Sequence, residues 1–171
     1  MLFPADIESL AEQIIKLCTT QKKKIVTAES CTGGLVAAAL THVAGSSAVV
    51  ERGFVTYSND SKTELLAVMP EMIEDYGAVS PEVAEAMAKG ALEFSLADIA
   101  VSVTGIAGPG GATADKPVGL VYLGLTDRSG VTFHYQCMFK GSRETIRMHS
   151  VHEALKLVLS FCQQPALDTD I

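Results

Sequence analysis

No two of the four cysteines, Cys18, Cys31, Cys137 and Cys162, stand in a C-x-x-C pair. A disulfide or zinc framework therefore has little support, and free buried thiols are the expected state. No apolar run approaches the length of a membrane span. The first residues, Met1-Leu2-Phe3-Pro4-Ala5-Asp6, lack the basic and apolar regions of a secretory signal. A cytoplasmic location with no membrane partner is the default expectation. Basic residues are outnumbered, 13 Lys and Arg against 20 Asp and Glu, for a net charge of −7. That argues against a broad nucleic-acid footprint. It leaves room for a small anionic ligand, which a helix terminus and one or two cations can hold. Repeats, low-complexity tracts and long linkers are also missing.

What remains is a chain of 171 residues, 48% hydrophobic and 19% charged. Such a chain suits one domain with a sizeable core. Ile7, Leu10, Ala11, Ile14, Ile15 and Cys18 share one helical face, with Asp6 as the expected cap and Lys22-Lys23-Lys24 at the end. A strand at 24–28 follows, then a turn at Ser30, then a helix to about His42 that Gly45 stops. Residues 49–57 read as a strand with a kink or bulge at Gly53. Ser58-Asn59-Asp60 is a turn and cap cluster before a helix over 61–68, which Pro70 breaks. Residues 71–76 read as one more short turn of helix, stopped by Gly77. Ser80-Pro81-Glu82 opens a helix to about Ser95 that is rich in Ala. Residues 99–104 make a buried central strand. Residues 118–126 and 131–139 flank Asp127-Arg128-Ser129-Gly130 as an antiparallel hairpin. Ser142 caps the last helix, and the tail after about 163 is expected to be loose. After the first helix, the order β-α-β-α-α-β-β-β-α implies a three-layer α/β/α sandwich with a mixed sheet, spanning 1–171 as a single domain.

The stretch Thr27-Ala28-Glu29-Ser30-Cys31-Thr32-Gly33-Gly34 carries the first candidate chemistry. Ser30 lies where a strand turns towards a helix. Unpaired N–H groups there can stabilise a developing oxyanion, and a hydroxyl beside them can attack a carbonyl. The alternative is structural: Ser is an ordinary helix cap, and the glycines serve packing. Cys31 follows as a possible low-pKa thiol at a helix start, ranked below Ser30 and expected to pack. Glu29 is no base for Ser30, because neighbouring strand residues point to opposite faces.

Gly105-Ile106-Ala107-Gly108-Pro109-Gly110-Gly111 leaves the strand at 99–104. It is neither a dinucleotide fingerprint nor a P-loop. If strands 24–28 and 99–104 are parallel neighbours, this loop and the Ser30 turn face one crevice. Lys62 follows Tyr57 across a turn. A lysine in a dry pocket can serve as a base, although its ordinary place is a solvated surface. Tyr57 can equally be a half-buried strand aromatic. His149 and His152 stand three apart beside Glu153, without a third metal ligand at a telling spacing. Arg143 and Arg147 could bind a phosphate or be exposed helix cations.

Six fragments, taken together, are more specific than any one. They are residues 27–34, Gly45-Ser46-Ser47, Arg52-Gly53-Phe54-Val55-Thr56-Tyr57-Ser58-Asn59, Gly77-Ala78-Val79-Ser80, Gly105-Ile106-Ala107-Gly108-Pro109 and Lys116-Pro117-Val118-Gly119. The set resembles the CinA carboxy-terminal domain family, over about residues 6–163. The length resembles the family's stand-alone form, without the amino-terminal domain of its longer members. The resemblance implies hydrolysis of the carboxamide of nicotinamide mononucleotide to nicotinate mononucleotide and ammonia, in pyridine-nucleotide salvage. It implies Ser30 as nucleophile and Lys62 with Tyr57 as proton relay. Backbone groups at Cys31, Thr32 and Gly33 would hold the oxyanion. Thr104, where some relatives carry Ser, would border the pocket. Gly105, Gly108 and Arg143 would hold ribose and phosphate. No metal or cofactor is implied, and a homo-oligomer is, with residues 49–57 and 81–95 as candidate interface pieces. The alternatives are a Ser-Lys amidase for another small amide and a non-catalytic binding or assembly domain of the same fold.

Overall fold

The computed structural model of the chain describes residues 2–164. Its helices and strands follow the hydrophobic periods of the sequence. Ile7, Ala11, Ile14, Ile15 and Cys18 bury one stripe of α1, Ala5–Gln21. The helix starts directly after Pro4, so Asp6 lies inside the first turn and is not the cap. A carboxylate there still faces the positive helix end. Next come β1 (Ile25–Glu29), α2 (Leu35–Thr41), β2 (Val50–Val55), α3 (Asn59–Leu66), α4 (Pro70–Tyr76) and α5 (Pro81–Glu93). The chain continues through β3 (Ile99–Gly105), β4 (Leu120–Asp127), β5 (Thr132–Met138) and α6 (Arg143–Gln163). The expected loose tail lies mostly outside the described residues.

The five strands form one mixed sheet in the order β2-β1-β3-β4-β5. β1 pairs in parallel with both β2 and β3, and β3-β4-β5 run antiparallel. Side-chain alternation divides the core into two layers. Ile25, Ile99, Val101 and Val103 pack with α1, α2 and α6. Val26, Ala28 and Ala100 pack with α3, α4 and α5. The domain is thus the three-layer sandwich with a mixed sheet that the element order implies.

One local expectation changes. The irregularity of β2 is at Glu51, not Gly53: Ile25 stands opposite Val50 while Val26 stands opposite Arg52. Gly53 instead provides room, since a Cβ there would meet Thr27 Oγ1 at 2.8 Å and Ala37 Cβ at 3.3 Å. The small residues of α5 face inward. Ala84, Ala88, Gly90 and Ala91 are buried, and a Cβ at Gly124 of β4 would overlap the Ala84 carbonyl.

Gly90 matters for the site, because it lets the end of α3 rest on α5. A Cβ at Gly90 would collide with the Leu66 carbonyl. Helix propensity alone favours Ala over Gly by about 1 kcal/mol, but overpacking against a backbone atom costs about 1–3 kcal/mol. Gly90→Ala is therefore expected to lower the stability measured by urea unfolding by about 1 kcal/mol or more. An unchanged or raised midpoint would mean that α3 can retreat from α5.

Candidate active site

The pleat of β1 assigns its last residues to different layers. Glu29 turns to the α2 side, where its carboxylate accepts from Val36 N at 2.8 Å and Ala37 N at 3.1 Å. It is a helix cap supplied from the end of a strand. Ser30 is therefore not the cap, and α2 starts only at Leu35, after Gly34 in the left-handed region at φ 98°. The amides at the start of α2 that would serve an oxyanion are partly occupied by this glutamate. Any such donors would come from the loop itself.

Ser30 turns to the α3 side and is 9% exposed. Lys62 Nζ lies 3.1 Å from Ser30 Oγ. The approach is built by α3, which Ser58 starts by accepting from Ser61 N at 3.1 Å. Lys62 is 1% exposed. Its Nζ also donates to the carbonyls of Thr56 at 2.9 Å and Tyr57 at 3.3 Å, with Ser58 more distant at 3.5 Å. Burial lowers the pKa of this amine below its ordinary value. A neutral amine has two hydrogens and one lone pair. Two carbonyls can take the hydrogens, which leaves the lone pair for the serine proton.

Tyr57 is placed differently from Lys62. The residue is 61% exposed, and its phenol accepts from Arg143 Nη2 at 3.0 Å. Among the described residues no hydrogen bond joins that phenol to Ser30 or Lys62; the tyrosine reaches the amine through its main-chain carbonyl. Arg143 Nη1 donates to the Gly108 carbonyl at 2.8 Å. The exposed Arg143 and Tyr57 thus join the start of α6 to the buried Gly108 of the Gly-rich loop.

The parallel pairing of β1 with β3 brings the two loops to one end of the sheet. Ser30 N donates to the Val103 carbonyl at 2.9 Å. Thr104 is buried and its hydroxyl donates to the Ala78 carbonyl at 2.8 Å. Gly105 cannot gain a side chain without meeting Val121 Cγ2 at 2.6 Å. Gly108, at φ +77°, faces Val118 just as closely. Gly33 takes φ +60°, and its N–H donates to the Ser30 carbonyl at 3.0 Å. Thr32 is fully buried with an unpartnered hydroxyl. Cys31 packs into the core, and burial pushes its thiol up to about 12, so it is not a reactive low-pKa thiol. All four cysteines are free and buried. His152 bonds Glu153 at 3.1 Å and lies 3.6 Å from Asp6. Among the described residues, no group of three potential ligands could hold a metal.

Sequence reasoning missed Glu29 as a cap and Arg147 as a partner of the Ser30 loop. Arg147 Nε and Nη2 donate to the carbonyls of Cys31 and Thr32 at 3.1 and 3.2 Å. A signal existed: Arg143 and Arg147 stand four apart, hence on one face of α6. Other clefts lie elsewhere. One of about 440 Å³, lined by Ile7, Met148, His149 and His152, includes no residue of the Ser30 loop. Hydrogen-bond geometry, not volume, marks the site.

The model of the CinA C-terminal domain matches residues 7–162. The chain belongs to that family. A nicotinamide-nucleotide amidohydrolase PncC from Enterobacter agglomerans is 50% identical over 135 residues, 79% of this chain and 82% of that protein. A putative competence-damage inducible protein from Caldicellulosiruptor bescii is 46% identical over 157 residues, 92% of this chain. The chain spans only 38% of that relative's length. The crystal structure of competence/damage inducible protein CihA from Agrobacterium tumefaciens superposes with a TM-score of 0.94 at 51% identity, covering 95% of this chain and 99% of that one. Within this CinA C-terminal domain, no described helix is long and apolar enough to cross a membrane.

The depressed pKa of Lys62 has a consequence for stability. Between its folded value and the ordinary 10.5, the unfolded chain binds more protons than the folded one. Stability then rises with pH across that window, and the burial penalty is full below it. Lys62→Met removes the titration. Wild type is expected to gain stability relative to Lys62→Met as the pH is raised from about 7 to 10 in denaturant titrations. A constant difference between the two would mean that the amine titrates as an ordinary lysine.

Proposed function

We propose that the chain is an amidase that hydrolyses the carboxamide of nicotinamide mononucleotide, releasing ammonia and nicotinate mononucleotide in pyridine-nucleotide salvage. The observation that carries this reading is the buried contact of Lys62 Nζ with Ser30 Oγ at 3.1 Å. The name of the 50%-identical relative supports the substrate.

Ser30 Oγ attacks the amide carbon while neutral Lys62 takes its proton directly. Backbone N–H groups just after Ser30 hold the oxyanion, each good donor contributing about 3 kcal/mol. Lys62, now charged, returns the proton to the departing ammonia. Water then attacks the acyl-enzyme with Lys62 again as base. The electron-poor pyridinium ring favours both additions. Thr104 and Gly105 border the crevice. Arg143, Tyr57 and Gly108 stand at its mouth, where Arg143 can turn a free N–H towards the substrate phosphate. Tyr57 serves there as a wall and an orienter of Arg143 rather than as the first proton acceptor.

Ammonia release from nicotinamide mononucleotide is the test. Ser30→Ala is expected to abolish it, and Lys62→Met to lower kcat by about 10²–10⁴-fold. Wild-type kcat is expected to rise with pH through an apparent pKa below the ordinary lysine value. Wild-type rates in Ser30→Ala would end the proposal. Turnover of other amides but not this one would move it to a different small amide. Binding of the nucleotide without turnover would favour a non-catalytic domain.

A further inference from the structure

Arg147 lies one turn beyond Arg143 on α6, and the chemistry above does not use it. It is half-buried and approaches the 30–34 loop from the layer of α1, α2 and α6. Lys62 approaches the same loop from the opposite layer. A trans peptide is planar, with its carbonyl and its N–H pointing in opposite directions. The bond from Arg147 Nε to the Cys31 carbonyl therefore turns the Thr32 N–H away from the guanidinium. The next peptide obeys the same rule visibly. Its Thr32 carbonyl accepts from Arg147 Nη2, and its Gly33 N–H points back to the Ser30 carbonyl. The Gly33 amide is thereby occupied. Among the described residues, the N–H groups of Cys31 and Thr32 have no backbone partner. Val36 and Ala37 cannot substitute, because Glu29 holds both.

We propose that Arg147 is a positioning residue for the oxyanion hole. Its two-pronged hold on consecutive carbonyls presents the Thr32 N–H, beside that of Cys31, to the oxygen of the carbonyl that Ser30 attacks. The proposal rests on Ser30 being the nucleophile, but not on which amide is the substrate. A lysine in this place would keep the charge and lose the fork that spans two carbonyls.

The test uses the full chain as wild type, Arg147→Ala and Arg147→Lys. Two rates are measured: ammonia release from nicotinamide mononucleotide, and labelling of Ser30 by a fluorophosphonate, read by mass. Labelling forms an Oγ–P bond, expels fluoride, passes the seryl proton to Lys62 and places a phosphoryl oxygen in the same hole. Both variants are expected to lose about 10-fold or more in kcat and in labelling rate, with KM within about 3-fold and the pH profile unmoved. Added guanidinium ion is expected to restore part of the Arg147→Ala rate. Wild-type rates in either folded variant would overturn the role. So would a loss that appears as raised KM, or one that guanidinium leaves untouched. If wild type labels at Ser30 yet does not consume the nucleotide, the substrate assignment fails, and the labelling rates still decide the role of Arg147.

Discussion

An amine withdrawn from water and set against a hydroxyl is the contact that orders the rest of this molecule. An ammonium in that position would lose its hydration, so burial shifts the group towards the neutral form. The neutral form is affordable only where its hydrogens have acceptors, and Thr56 and Tyr57 offer their carbonyls. Those carbonyls are fixed in turn. Thr56 N donates to the Glu29 carbonyl at 2.8 Å, which carries the β1–β2 pairing one residue past the end of β2. Ser58 then starts α3, and Lys62 falls one turn inside it. The distance from nitrogen to hydroxyl is therefore set by a strand register and a helix cap, not by the lysine rotamer alone.

The sheet separates support from chemistry. Because consecutive residues of a strand face opposite layers, Glu29 and Ser30 serve different neighbours. Glu29 closes the start of α2, and Ser30 meets α3. A carboxylate in the Ser30 layer would favour the ammonium form of Lys62. Placed one residue earlier, the same charge is spent on two amides on the far side of the strand. The two basic side chains at the loop are divided in the same way. Arg147 binds carbonyls from one layer, and Lys62 binds the hydroxyl from the other.

The fold was largely legible because its periods are clean. Ile25, Val26, Ile99 and Val101 are buried on both faces of a parallel core, and the hairpin turn at 127–130 is explicit in its residues. The opposition of Glu29 and Ser30 was legible as well, since it follows from a period of two. What escaped was set by tertiary contact. Nothing local marks Glu29 as a cap, because its donors lie seven and eight residues on, beyond two glycines. The bulge at Glu51 carries no glycine to announce it. Arg147 looks like any helix cation until the loop arrives beside it. Tyr57 had two readings, and only the position of Arg143 shows where its phenol goes.

The fragments that carry the family resemblance divide by physical task. Residues 30–33 form the turn whose Ser30 hydroxyl meets Lys62, and most of the others hold the loops that border this contact. Thr104 donates to the Ala78 carbonyl, which ties the end of β3 to the turn before α5. Lys116 donates to the Tyr76 carbonyl in the same turn, so Gly77 is held from two directions. Val118 fills the space beside Gly108, and a Cβ at Gly119 would collide with the Phe139 carbonyl. The Gly-rich loop after β3 is thereby wedged between the turn before α5 and the strand leading to α6. Arg143 then spans from the Gly108 carbonyl to the Tyr57 phenol and joins that wedge to the other side of the crevice. Such scaffolding is needed by any reaction that Ser30 and Lys62 carry out, and equally by a bound ligand that never reacts. The proposed amidase differs from a binding domain of the same shape in what the Lys62 amine does to the Ser30 hydroxyl, not in the wider pattern of glycines.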